Sequence, residues 1–175
     1  MRPLRLLPII AASVLWTGAA TAQVVPQQPG TAPLPTVAGW IETVVFPDLG
    51  LTLEAKLDTG AGFSSLNVTG LEEFKRDGKT WYRFTIRDAG GKAVTLERQS
   101  ERVARIIRAE VKDTLRPIVP LRICLAGHEA VTDFTLTDRS GQAYQVLIGR
   151  RFLANRVLVD SNSKNRFVRP CESGK

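Results

Sequence analysis

The sequence predicts an all-β domain, a barrel or a sandwich, on three observations. Short runs alternate apolar and polar side chains at every second position, as in Leu51–Leu57 and Trp81–Arg87 (WYRFTIR). Turn sequences interrupt them at close spacing: Pro47-Asp48-Leu49-Gly50, Arg76-Asp77-Gly78-Lys79 and Asp88–Lys92 (DAGGK). The chain has 175 residues, enough for one domain with a sizeable core. Many short strands joined by tight turns within one domain point to a closed or two-layered sheet.

In chain order, residues 1–22 place Arg2 and Arg5 before an apolar run from Leu6 to Trp16, then small residues ending Ala20-Thr21-Ala22. That is the order of a secretory signal peptide, and the run, interrupted by Pro8, is too short to span a bilayer comfortably. Residues 23–36 (QVVPQQPGTAPLPT) are rich in Pro and Gln without an apolar period and read as a linker. The domain is assigned to residues 37–175. Val37–Phe46 and Leu51–Leu57 are expected as strands, Ser64–Val68 as extended chain, and Glu72–Lys75 as a short helix or loop. Trp81–Arg87 and Ala93–Arg98 should form a hairpin. Arg102–Val111 supports a basic helix and a β-ribbon alike. Pro117–Leu125 and Ala130–Leu136 are strands around the turn at Ala126-Gly127-His128. Ala143–Ile148 is another, Arg150–Ala154 starts a short helix, and Val157–Val159 and Arg166–Val168 are the last short strands.

Taking Arg2 and Arg5 from the formal charge of +7 leaves +5 on residues 23–175. The arginines are scattered and lack interleaved aromatics, which gives nucleic-acid binding little support. A basic surface of this kind suits an acidic substrate or a simply solvated face. No stretch after residue 22 is long and apolar enough to cross a membrane as a helix. Cys124 and Cys171 are the two cysteines, and in an exported, periplasmic protein they suggest a disulfide between a mid-chain strand and the tail. His128 is the single histidine and reads as a turn residue. There is no HExxH, no Cys/His cluster and no Gly-rich phosphate loop, so neither a metal nor a nucleotide cofactor is expected.

The chemistry concentrates in Leu53–Leu66 (LEAKLDTGAGFSSL), where an alternating strand delivers Asp58 into Thr59-Gly60-Ala61-Gly62. An acid at the mouth of a glycine turn suits a carboxylate held by neighbouring backbone and hydroxyl groups. Asp58-Thr59-Gly60-Ala61, followed downstream by Leu147-Ile148-Gly149-Arg150 and a short helix, resembles the retropepsin-like aspartic proteases, half-sized relatives of pepsin. Gly39-Trp40, Phe46-Pro47-Asp48-Leu49-Gly50, Leu136-Thr137-Asp138-Arg139-Ser140 and Val159-Asp160 resemble a bacterial subfamily linked to glutamate-ligase systems and labelled as ATP-dependent zinc proteases. The residues argue against the zinc and ATP of that label.

The resemblance implies a closed β-barrel, one acid-protease half-lobe with one short C-terminal helix. It implies an endopeptidase in which Asp58 from each subunit of a homodimer activates water, because two carboxylates sharing a proton are required and the chain has one Asp-Thr-Gly. Thr59 then stiffens the paired loops, Gly60 admits substrate backbone, and Ile148 and Gly149 pack beside the Asp58 loop. Asp160, which also follows an apolar stretch, lacks the glycine and reads as a turn residue. Two departures stand out. Gly62-Phe63 occupies positions where the family has acids or Arg-Thr, so Arg150 needs another partner. The flap is expected between Arg98 and Arg116, tipped near Gln99–Glu101 or Ala109–Thr114 and without a Gly-rich tip; Arg102, Arg105 and Arg108 on it favour acidic peptides. The rival reading is a non-catalytic periplasmic binding or accessory module that keeps the fold.

Overall fold

A computed structural model describes residues 34–108, 111–167 and 171. The expected signal peptide (1–22) and most of the linker (23–33) lie outside the described residues. The strands are β1 (Thr36–Phe46), β2 (Leu51–Leu57), β3 (Ser64–Asn67), β4 (Thr69–Arg76), β5 (Lys79–Arg87), β6 (Ala93–Gln99), β7 (Val103–Arg108), β8 (Val111–Leu125), β9 (His128–Thr137), β10 (Val146–Ile148) and β11 (Val157–Lys164). A single α-helical turn, α1 (Arg150–Leu153), follows β10, and Pro47–Leu49 forms a 3-10 turn between β1 and β2. The fold is all-β with one short helix.

Eight strands form one sheet in the order β11-β1-β2-β10-β3-β9-β8-β7. β1 also meets β8 through Val45 and Cys124, so six strands close a ring of hydrogen bonds. A ring removes the open edges of its members. Strand alternation then puts one row of side chains inside. Phe46, Leu66, Phe134 and Ile148 are fully buried there, joined by Phe152 of α1, and the Phe46 and Phe134 rings lie 5.7 Å apart.

β4, β5 and β6 make a separate three-stranded antiparallel sheet. Lys79–Arg87 alternates cleanly, sending Tyr82, Phe84 and Ile86 into the same core and Arg83 to solvent. The β4–β5 turn has Asp77 and Gly78 at φ 52° and 73°, the left-handed pair a two-residue hairpin requires.

Two expectations change and one open alternative is decided. The expected helix or loop at Glu72–Lys75 is part of β4, because its backbone pairs with Trp81 and its neighbours despite an almost wholly exposed strand. Arg102–Val111 is a β-ribbon: β7 pairs with the first half of β8, from Val103↔Pro117 to Arg108↔Val111. Of the last two expected short strands, Val157–Val159 extends to Lys164 as β11, which pairs in parallel with β1, whereas Arg166 and Phe167 are not strand and Val168 lies outside the described residues.

The tail after β11 is tied down by a buried side chain that sequence gives no reason to expect. Glu42, with no exposed surface, accepts hydrogen bonds from the backbone N–H groups of Gly39 (2.6 Å), Arg166 (3.1 Å) and Phe167 (3.0 Å). Three donors on one carboxylate satisfy the cost of burying it. Further on, Cys171 is joined to Cys124 as a disulfide, Cα to Cα 5.9 Å, at the residue where β8 meets β1.

Candidate active site

Asp58 sits where β2 stops. Leu57 and Ile148 are paired in the parallel β2–β10 ladder, and the Asp58 N–H donates to the Ile148 carbonyl at 2.8 Å. The chain then turns over the Asp58 carboxylate, whose Oδ1 accepts from the N–H groups of Gly60 (2.9 Å) and Ala61 (3.2 Å). These bonds fix the direction of a half-buried carboxylate at the protein surface.

The segment after β10 locks the loop from the other side. A helix start carries N–H groups without intrahelical partners. In α1 those of Arg150 and Arg151 donate to the carbonyls of Ala61 (2.8 Å) and Gly62 (3.2 Å). Gly149 lies against the loop so closely that a β-carbon there would collide with the Phe63 carbonyl and stand 3.0 Å from that of Ala61. Its N–H donates to Ser64 Oγ at 3.2 Å. Glycine is required here by proximity.

Arg150 finds its partner in backbone. Its Nη1 donates to the carbonyls of Thr59 (2.8 Å) and Gly60 (2.7 Å), replacing the absent acid with two peptide oxygens of the Asp58 loop itself. Leu147 pairs with Lys56 on one side and Ser65 on the other, which wedges β10 between β2 and β3. The structure therefore brings Asp58, Thr59, Gly60, Ala61, Leu147, Ile148, Gly149 and Arg150 into one unit.

A cleft of about 430 Å³ opens beside this unit. Ala61, Gly62 and Phe63 form one wall; Arg105 and Ile106 of β7 and Arg116 of β8 form another. Arg139, in the loop after β9, completes a trio of guanidinium groups on the cleft. Its Nε donates to the Tyr144 carbonyl at 3.2 Å and its Nη1 to Ser65 Oγ at 3.4 Å. The β7–β8 hairpin thus lies within the segment expected to hold the flap and lines the cleft; residues 109–110, part of the second expected tip location, lie outside the described residues.

Of the expected flap arginines whose side chains are described, Arg105 lines the cleft and Arg102 does not. Arg102 points away and grips Asp133 with two hydrogen bonds, 2.8 and 2.6 Å. Arg108 is in β7, its side chain outside the described residues. Arg116 and Arg139 were not singled out by the sequence, since only the hairpin register and the folding-back of the 138–145 loop bring them here. The Arg102 guanidinium holds the Asp133 carboxyl below the usual carboxylate range, outweighing the upward push of burial.

Other candidates lie elsewhere. Asp160, expected as a turn residue, lies instead in β11, paired with Gly39 next to a register shift, and accepts from the Asn162 N–H (2.9 Å) and Ser163 Oγ (2.7 Å). His128 opens β9 after the Ala126-Gly127 turn and hydrogen-bonds Thr36 Oγ1 at 3.0 Å. Among the described residues, no three His, Cys, Asp or Glu side chains cluster as metal ligands would, and no helix is long and apolar enough to cross a membrane.

Comparison with known proteins shows the family. The family described as retropepsin-like aspartic endopeptidase RimB (RimB-like) matches residues 37–171. A probable alpha-L-glutamate ligase of Shewanella halifaxensis is 31% identical over 130 residues, covering 71% of this chain and 28% of the ligase. A protein of the same description from Parasynechococcus marenigrum is 29% identical over 136 residues, 75% of this chain and 29% of its own. The chain therefore spans less than a third of the length of these curated relatives. A crystal structure of a Legionella pneumophila protein of unknown function superposes with a TM-score of 0.62 at 28% identity, covering 75% of this chain and 97% of that one. The match runs from the start of β1 to the disulfide-bonded Cys171 and includes both halves of the Asp58 unit, so the chain belongs to the RimB-like family of retropepsin-like aspartic endopeptidases.

Proposed function

We propose that this protein is an exported, homodimeric aspartic endopeptidase in which Asp58 of two subunits share a proton and activate water. The observation that carries this reading is the Asp58 carboxylate, aimed by two N–H groups in a loop that α1 holds and whose next residues, Ala61–Phe63, wall a cleft. One charged carboxylate takes the proton of water; its neutral partner donates to the substrate carbonyl. A single chain supplies one such acid, so the site is incomplete without a second copy.

An apolar surface beside the loop supports that pairing. Val37 and Leu158 face each other in the β1–β11 ladder, 45% and 57% exposed, and Leu34 is 90% exposed. They adjoin a shallow, mostly apolar depression of about 300 Å³ that includes Thr59, Leu153 and Leu158. Apolar surface of this kind is what subunits bury.

The substrate class follows from Arg105, Arg116 and Arg139 around the cleft. Guanidinium groups match carboxylates in charge and shape. Together with the glutamate-ligase name of the relatives, this favours peptides rich in glutamate. The signal peptide and the disulfide favour a periplasmic location.

The test is hydrolysis of glutamate-rich and neutral peptides by the mature protein, with and without chelator, beside Asp58→Asn. The variant should lose about 10²-fold or more in kcat while its melting temperature and dimer are kept, and chelator should change nothing. Absence of turnover with retained peptide binding would replace this reading with the non-catalytic binding module.

A further inference from the structure

Phe63, where the chain departs from the family pattern, lies beneath the Arg151 guanidinium, which stacks 3.8 Å above its ring. Arg151 Nη1 also reaches Asp133 Oδ2 at 3.3 Å. From the other side, Asp133 receives both prongs of Arg102. Arg102 stands at the root of the β7–β8 hairpin. Its carbonyl accepts from the Ile118 N–H at 2.9 Å, and its N–H donates to Ser100 Oγ, which donates in turn to the Ile118 carbonyl at 2.5 Å.

Four side chains from separate segments therefore run from the Asp58 loop to the base of the hairpin that faces it across the cleft. Asp133 is the one acid in this run, and its side chain is 19% exposed, against 53% and 54% for Arg102 and Arg151. Its own place is fixed by the β-ladders: it pairs with Pro120 on β8, and the next residue, Phe134, pairs with Ser64, adjacent to Phe63. Without its charge, two guanidinium groups would face one another with no acid between them. Ion pairs with such exposed arginines add little to global stability. Their consequence is orientation, because a two-pronged Arg–carboxylate contact has a defined plane.

We propose that Asp133 is a positioning residue that couples the β7–β8 hairpin to the Asp58 loop by holding Arg102 and Arg151 together. The coupling sets how closely the hairpin approaches the loop, and hence how tightly a peptide is gripped between them. Its kinetic consequence rests on the peptidase reading above; its structural consequence does not.

Two measurements on the mature protein decide it. In hydrogen exchange without substrate, Asp133→Asn should speed the Ile118 amide and the Gly60 and Ala61 amides together, on the order of ten-fold, leaving the β4–β5 amides unchanged. Asp133→Glu should restore part of the protection, and Arg151→Gln, which spares the hairpin root, should still reach the Ile118 amide. Faster exchange at Ile118 alone, or at neither site, overturns the coupling. In peptide hydrolysis, Asp133→Asn should raise KM about ten-fold and keep kcat within about two-fold; a fall in kcat at unchanged KM overturns it as well. If the unsubstituted protein turns over no peptide, the peptidase reading fails, and the exchange measurement still decides the coupling.

Discussion

Asp58 is aimed by the backbone amides that follow it, and those amides are held in turn by α1, so its neighbours are as consequential as the acid. Gly149 is the sharpest case. Gly149→Ala forces a methyl group into the carbonyls of Phe63 and Ala61, which are backbone and yield poorly. The expected cost is about 1–3 kcal/mol in urea unfolding, with activity reduced through the displaced loop. Wild-type stability in that variant would mean that the loop has room to retreat. Asp133 carries a prediction in pH. Its carboxyl titrates below the usual value in the folded state because Arg102 hydrogen-bonds it, while in the unfolded chain it titrates near 3.9. The unfolded state therefore binds the proton first as pH falls. The stabilisation is complete above about pH 4 and is lost as pH drops through the lowered folded value. Melts of wild type and Asp133→Asn should differ above that point and converge below it; parallel curves down to pH 2 would remove Asp133 from acid unfolding.

At the level of elements, the hairpin and α1 meet the loop from two sides. A single helical turn has no stability of its own, and α1 persists because Phe152 and Leu153 are buried in the core. That anchoring lets its first N–H groups point at Ala61 and Gly62 instead of at solvent. The β7–β8 hairpin contributes charge. Arg105→Glu should raise KM for a glutamate-rich peptide about five-fold while leaving a neutral peptide within about two-fold. Equal loss on both peptides would show that the residue shapes the cleft without reading charge. Arg102, although close to Arg105 in sequence, has a different place: it lies off the cleft and grips Asp133 with both prongs.

At the scale of the whole molecule, the ring of six strands brings residues 58–63 and 149–151 together across some 85 residues of chain. The β1–β11 pair then offers Leu158 and Val37 outward beside Thr59. Leu158→Glu places a charge in the surface assigned to the second copy. Sedimentation should show the dimer shifting to monomer at micromolar concentration, and hydrolysis should fall with the dimer fraction. A monomeric wild type that cleaves peptides would overturn the shared-carboxylate mechanism.

Alternation and turn chemistry, which are local, were sufficient to read the all-β class, the β2 and β5 strands and the β5–β6 hairpin from sequence. The Asp58 loop and the Gly149 strand end were legible for a similar reason: close backbone approach leaves a glycine as its mark. β4 was hidden because its side chains are nearly all exposed, so its pairing leaves no apolar period. The 102–111 ribbon was ambiguous because Arg, Val and Ile suit either period until a partner strand is present. Asp133 and Glu42 left no sequence signal at all, and Arg139, quoted only within a motif, and Arg116, quoted only as a boundary, carried none that placed them on the cleft. A charge acquires its role from what it faces, and which groups face one another was decided by strand register and the closure of the ring.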